Sequence, residues 1–339
     1  MLNTVYRLYA PRSFQPIVLD APIVDKVIVR PTYLSICNAD QRYYQGTRSK
    51  EVLRRKLPMA LIHEGVGEVV SDQTGVFSRG AKVVLLPNDP TETDPVIAEN
   101  YLTSSHFCGS GYDGFLQEAM ILSPERLVEL PRDINLEVAA FTELVSVAVH
   151  AVSRFEGIAH NRKQSIGVWG DGNLGFIVSL VLRRVFPNAE VVVYGRNREK
   201  LNDFTFVSRI CLVDEENLPT VDHAFECCGG DGSIAAIDQI IDRIRPEGTI
   251  SLLGVSENPV PINTRMVLEK GLRLFGSSRS GRKDFERTVA LYESNPEMLE
   301  YLQSLVNEVR VIRSVSDISA AFEADIRKPM GKTIMKWEM

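Results

Sequence analysis

Across residues 1–145, apolar positions fall in short runs at 5–10, 27–33, 67–70, 82–86 and 115–122, separated by frequent Gly and Pro. That punctuation predicts strands joined by loops, an antiparallel and barrel-like unit. Over 136–155 the period lengthens to that of a helix, with Leu136, Ala139, Ala140, Leu144, Val147, Ala148 and Ala151 on one face. From Ser165 the grammar becomes strand, helix, strand. Strands are expected at 165–169, 190–194, 210–213, 222–227 and 249–253, with an edge strand at 272–275. Helices are expected at 174–186, after Asn197, and at 233–244. Alternation of this kind predicts a parallel sheet covered on both faces. The tail reads as helical over 284–325, then as a last strand at 333–337. A single strand cannot stand alone, so it is expected to return to the N-terminal unit. The fold class is therefore α/β. A doubly wound domain, 146–284, is inserted into a mainly β domain made of 1–145 and completed by 285–339.

Composition narrows the class without changing that picture. The 339 residues are 44% hydrophobic and 24% charged, with 23 Gly and 17 Pro, the profile of an ordinary globular protein. No apolar run approaches the roughly 20 residues of a membrane span. The first residues lack the basic-then-apolar layout of a secretory signal. A cytoplasmic protein with no membrane association is expected. Net charge is −6, from 38 basic and 44 acidic residues, which argues against a nucleic-acid partner. Five scattered cysteines, 37, 108, 211, 227 and 228, fit free thiols or a metal ligand better than a disulfide framework.

The run Ser165-Ile-Gly-Val-Trp-Gly170-Asp-Gly172-Asn173-Leu174-Gly175 is a strand entering GxGxxG and an apolar helix. Gly170 serves the tight turn, Gly172 the approach of backbone to a pyrophosphate, and Gly175 the packing of helix on strand. The helix N-terminus then meets the negative charge. An NAD site would carry an acidic residue at the end of the next strand. Here the chain reads Tyr194-Gly195-Arg196-Asn197-Arg198, a small residue followed by guanidinium groups. That pattern leaves space and charge for a 2′-phosphate, so NADPH is the expected cofactor. The competing, weaker reading is that Arg196 and Arg198 are simply solvated residues at a helix start.

Three separated pieces carry ligand chemistry: Cys37-Asn-Ala-Asp40, His63-Glu64-Gly65-Val-Gly67, and Phe141-Thr-Glu143-Leu-Val-Ser-Val-Ala-Val-His150. Thiolate, imidazole and carboxylate are ligand types that catalytic zinc accepts while leaving a position open. With the GxGxxG turn and Gly276-Ser-Ser-Arg279, these pieces resemble the zinc-containing medium-chain dehydrogenase/reductase family along the whole chain. The resemblance implies a GroES-like catalytic domain with an inserted Rossmann domain. It also implies one catalytic Zn²⁺ on Cys37, His63 and Glu143, with Glu64 able to enter or leave the shell. Asp40 is expected to orient a ligand. Glu143, where alcohol dehydrogenases carry a cysteine, looks like the polyol-dehydrogenase branch.

Two departures qualify the likeness. Between residues 87 and 113 the chain offers only Cys108, so no structural zinc is expected. Ala39 stands where many relatives carry a proton-relaying Ser or Thr, which leaves bound water or Glu64 to supply the proton. His106 and Cys108 lack further partners and read as loop packing, and Cys227-Cys228 as the apolar close of a strand.

Residues 41–56 hold six basic side chains against one acid, in a chain that is acidic as a whole. Such a run is often a solvated face. Its place between Cys37 and His63 makes Arg42, Arg48 and Lys50 the candidate contacts for a substrate phosphate, with Arg279 or Arg282 as helpers. The segments Cys37-Asn-Ala-Asp-Gln-Arg-Tyr-Tyr, Gly46-Thr-Arg-Ser-Lys-Glu-Val-Leu and Leu57-Pro-Met-Ala-Leu-Ile-His-Glu-Gly are similar to the ribulose-5-phosphate reductases within this family. That resemblance implies NADPH-dependent formation of ribitol 5-phosphate, which a cytidylyltransferase turns into CDP-ribitol for teichoic acid or capsule polymers. It also implies a homodimer paired through the edge strand. Two readings compete with it. One is a polyol dehydrogenase acting on a neutral sugar alcohol with NAD(P). The other is a nucleotide-binding relative without catalysis.

Overall fold

A computed structural model describes every residue except Pro329. The chain forms two compact units, Met1–Ser146 with Ser280–Met339, and Val147–Arg279. The first crossing between them falls inside the helix Thr142–Ile158, and residues 280–284 group with the first unit.

In the first unit, the strand Val27–Ser35 is central to a seven-stranded sheet. Glu64–Asp72 pairs with it on one side, followed by Lys82–Leu85 and Leu127–Glu129. On its other side lies Lys332–Trp337, antiparallel, with Ile334 opposite Ser35. The last strand thus returns to the N-terminal sheet. A smaller sheet pairs Leu2–Ala10 with Ser13–Asp20 and with Met59–Ala60. Val27, Val29, Leu34, Val69, Leu85 and Met335 are fully buried in the core beneath them.

Three sequence expectations fail here. The tail is not one helical run: Arg282–Ser294 and Pro296–Gln303 are followed by a strand, Val306–Ile312, and then by the helix Val315–Arg327. Val306-Asn-Glu-Val-Arg-Val-Ile alternates half-covered and exposed side chains, a period of two that the flanking helical pattern masks. The 136–155 helix is broken into Leu136–Ala139 and Thr142–Ile158, with buried Ala140 and Phe141 at the break. Of 115–122, only Met120–Leu122 is a strand.

The second unit holds six parallel strands. Ser165–Trp169 lies at the centre, with Glu190–Gly195 and Arg209–Leu212 on one side. His223–Glu226, Thr249–Leu252 and Arg273–Gly276 lie on the other. The chain winds out to one edge, returns to the centre and winds out again. This places a switch point at the carboxyl ends of Ser165–Trp169 and its neighbours, where open α/β sheets bind ligands.

Candidate metal centre and nucleotide site

Ligand atoms of Cys37, His63 and Glu64 lie within 4.8 Å of one another. The local fold explains why. Cys37 is the residue before the short helix Asn38–Tyr44, and its backbone N–H donates to Asp40 Oδ2 at 3.1 Å. Asp40 is fully buried, and its other oxygen accepts from the Ile62 N–H at 3.0 Å and sits 3.5 Å from His63 Nδ1. One carboxylate therefore orders both the thiol and the imidazole. With Nδ1 facing Asp40, Nε2 is the nitrogen left to offer a lone pair. Ile62 carries φ of 73°, a strained conformation for a β-branched residue, held by its bond to Asp40 and by the Phe115 N–H on its carbonyl.

Glu64 is fully buried and paired with Lys332, whose Nζ lies 2.9 Å from Oε1 and 2.6 Å from Oε2. Lys332, itself 2% exposed, was not legible in the sequence as a site residue. A proton on Glu64 would break this buried pair, so the arrangement suits a charged ligand better than a proton donor. Glu143 is buried, in electrostatic reach of His63 and Glu64, but it stands outside the 4.8 Å cluster. Burial, reinforced by Glu64 and opposed by His63, pushes its carboxyl up to about 7. Burial also works against charge on His63, yet Asp40 and Cys37 outweigh it and raise that imidazole well above its usual range.

Soft thiolate, oriented imidazole and buried carboxylate form a donor set that fits zinc. His63 and the neighbouring Glu143 hold protons near neutrality, and zinc must displace them. Zinc affinity of the metal-free protein is therefore expected to fall by at least roughly tenfold per pH unit below 7. Competition with a chromophoric chelator at pH 6, 7 and 8 measures this, and a flat profile would refute it.

The basic segment divides. Lys50 is exposed in the first turn of the helix Lys50–Lys56, and Arg42 is half-buried in the last turn of Asn38–Tyr44. Arg48 places its guanidinium 5.0 Å from the centre of the buried Tyr43 ring. Lys56, the last of the six basic residues of that run and not among the phosphate candidates, brings its Nζ to 5.8 Å from the same ring and 2.8 Å from Ser110 Oγ. The loop carrying Ser110 also carries Phe107, whose ring is 5.6 Å from that of His63. Arg48 and Lys56, rather than Arg42 and Lys50, are thus brought onto one ring. Arg282 is engaged elsewhere, donating to the carbonyls of Pro124 and Leu127 and pairing with Glu286. His106 stacks on Tyr112, and burial pushes the Cys108 thiol up to about 12.

In the second unit a cavity of about 530 Å³ opens at the carboxyl ends of the central strands, lined by Gly170, Asp171, Gly172, Gly195 and Arg196 among others. A Cβ on Gly175 would meet the Gly170 carbonyl oxygen at 2.0 Å, whereas one on Gly172 would project into open space. The first contact is the packing reason for glycine; the second leaves backbone bare to a ligand. Asn173 and Leu174 begin the helix Asn173–Val185, whose N-terminus faces that turn. Arg196 lines the cavity, but Arg198 turns to Glu215 at 2.8 Å.

Residues 24–132 match the alcohol dehydrogenase GroES-like domain, and residues 212–294 the zinc-binding dehydrogenase domain. The chain is 54% identical to the ribulose-5-phosphate reductase of Bacillus spizizenii, with 100% of both chains covered. It belongs to the ribulose-5-phosphate reductases of the zinc-containing medium-chain dehydrogenase/reductase family. Ribulose-5-phosphate reductase 1 of Staphylococcus aureus is 53% identical, again with 100% of each covered. The crystal structure of S. aureus TarJ in complex with NADPH matches with a TM-score of 0.89 and 48% identity, covering 100% of both chains. Among the described residues, no helix of this reductase-family chain is long and apolar enough to cross a membrane.

Proposed function

We propose that this chain reduces D-ribulose 5-phosphate to D-ribitol 5-phosphate with NADPH in a zinc-dependent reaction. The observation that carries the reading is the Cys37–His63–Glu64 cluster, its imidazole and carboxylate buried and its thiol half-buried, with Arg48 and Lys56 gathered on Tyr43 in the same unit. The full-length likeness to ribulose-5-phosphate reductases supports it. Bound zinc supplies a Lewis acid to polarise a carbonyl, and bound NADPH supplies the hydride. Cys37, His63 and Glu64, with Glu143 beside them, are the residues to hold the metal. Asp40 keeps the imidazole in the ligating tautomer, and Lys332 balances the charge of Glu64. The Gly170–Gly175 turn takes the pyrophosphate and Arg196 the 2′-phosphate.

On this reading a cytidylyltransferase consumes the product on the way to CDP-ribitol for teichoic acid or capsule polymers. The chain acts in the cytoplasm as a homodimer, with the edge strand Arg273–Gly276 as the pairing element.

Initial rates of NADPH oxidation with D-ribulose 5-phosphate against D-ribulose, with NADH as control, test the proposal. Strong preference for the phosphate and for NADPH is expected. Equal rates on the two sugars would favour a neutral polyol dehydrogenase instead. In the same assay Lys56→Ala is expected to raise KM for the phosphorylated sugar roughly tenfold or more, the worth of a charge-assisted contact. Its rate with D-ribulose should be unaltered; a parental KM for the phosphate would remove Lys56 from the site.

A further inference from the structure

Asp171, the residue between the first two glycines of the turn, does something the motif does not require. Its Oδ2 accepts from two backbone N–H groups beyond the second strand, Arg196 at 2.7 Å and Asn197 at 2.8 Å. Two adjacent amides converge on one oxygen, so the chain after Gly195 is folded around this carboxylate. Gly195 makes the reach feasible, because a Cβ there would lie 2.7 Å from Asp171 Cβ and 2.9 Å from its Oδ2. The small residue at the strand end thus leaves space for Asp171.

The amides of 196 and 197 are satisfied from within and are not open donors for a cofactor phosphate. Arg198 is held by Glu215. What the cavity receives from this loop is Arg196, whose charge acts within it as far as the Cys228 thiol. A carboxylate cannot itself attract a phosphate, so any benefit it brings must come through the loop it holds.

We propose that Asp171 is a positioning residue for cofactor choice: by clamping the amides of Arg196 and Asn197, it sets the loop so that Arg196 stands ready for a 2′-phosphate. The inference rests on the NADPH reading above. Its sign is opposite to that of simple electrostatics, since removing a negative charge beside a phosphate site would otherwise strengthen binding.

The test is calorimetric titration of the full chain with 2′,5′-ADP and with 5′-AMP, for the parent, Asp171→Ala and Asp171→Asn. Asp171→Ala is expected to weaken 2′,5′-ADP by about tenfold, the scale of one charge-assisted hydrogen bond, and to leave 5′-AMP within about twofold. Asp171→Asn, whose amide oxygen can still accept both N–H groups, should recover most of the loss. The ratio of kcat/KM for NADPH over NADH should follow the same order. Unchanged or tighter 2′,5′-ADP binding by Asp171→Ala overturns the proposal, as does equal loss of both nucleotides. An Asp171→Asn variant as weak as Asp171→Ala also overturns it. A parent that does not distinguish the two nucleotides overturns the NADPH reading itself, and is recognisable as that separate failure.

Discussion

Lys332→Met is expected to destabilise the metal-free first unit by about 3–5 kcal/mol, the cost of leaving one member of a buried ion pair without its partner. Glu64 and Lys332 are 0% and 2% exposed, and the salt bridge of 2.6 Å spans two strands on either side of Val27–Ser35. Removing the ammonium leaves a fully buried carboxylate without its salt-bridge partner, beside Cys37, His63 and Glu143; it must take up a proton or draw in water. Bound zinc offers that carboxylate another positive neighbour, so the loss should shrink in the loaded protein. Glu64→Gln combined with Lys332→Met should be less damaging than Lys332→Met alone, because no charge is then left uncompensated. Fluorescence separates the units: Trp337 lies in the first and Trp169 in the second. Urea unfolding of chelator-treated protein in a Trp169→Phe background reads the first unit alone. A parental midpoint for Lys332→Met would show that the pair is not stabilising.

Cys37→Ala should lower the rate of ribulose 5-phosphate reduction by about a thousandfold or more, since a Lewis acid contributes several kcal/mol and each 1.4 kcal/mol is a factor of ten. The thiol is the soft donor of the set, and the backbone that carries it is tied to the same carboxylate as His63. Its deletion therefore removes a ligand without disturbing Asp40. Zinc content of the purified variant should fall while NADPH binding, which belongs to the other unit, persists. A variant with parental zinc stoichiometry and rate would sink the assignment of Cys37 as ligand.

The two halves of the fold were unequally legible in the sequence. Parallel strands buried on both faces announce themselves as continuous apolar runs, so the second unit was readable nearly strand for strand. Val306–Ile312 was hidden because it has one partner strand and exposes Val309 and Val311, which makes its pattern resemble a helix face. In the site, Cys37, His63 and Glu143, with Glu64 beside them, were legible as ligand types through the family resemblance, but the mutual approach of Cys37, His63 and Glu64 depends on Asp40 reaching Ile62 across the sequence. Lys332, Lys56 and Asp171 escaped for a common reason. Each meets a partner distant in sequence, Glu64, Ser110 and the Arg196 amide respectively, and nothing local marks that partner, although Lys56 closes the basic run 41–56. Gly195 was the one available signal for Asp171, and its small size admits two explanations that only the structure separates.

The first unit is closed by a strand that follows the whole of the second, and 268 residues separate Lys332 from Glu64. During translation, Cys37, His63 and Glu64 leave the ribosome long before their counter-charge exists. The whole of the inserted α/β unit is synthesised in that interval. On the metal assignment proposed above, the donor set therefore lacks its buried counter-charge until the closing strand emerges, and Lys332 is the last of these residues to join the site.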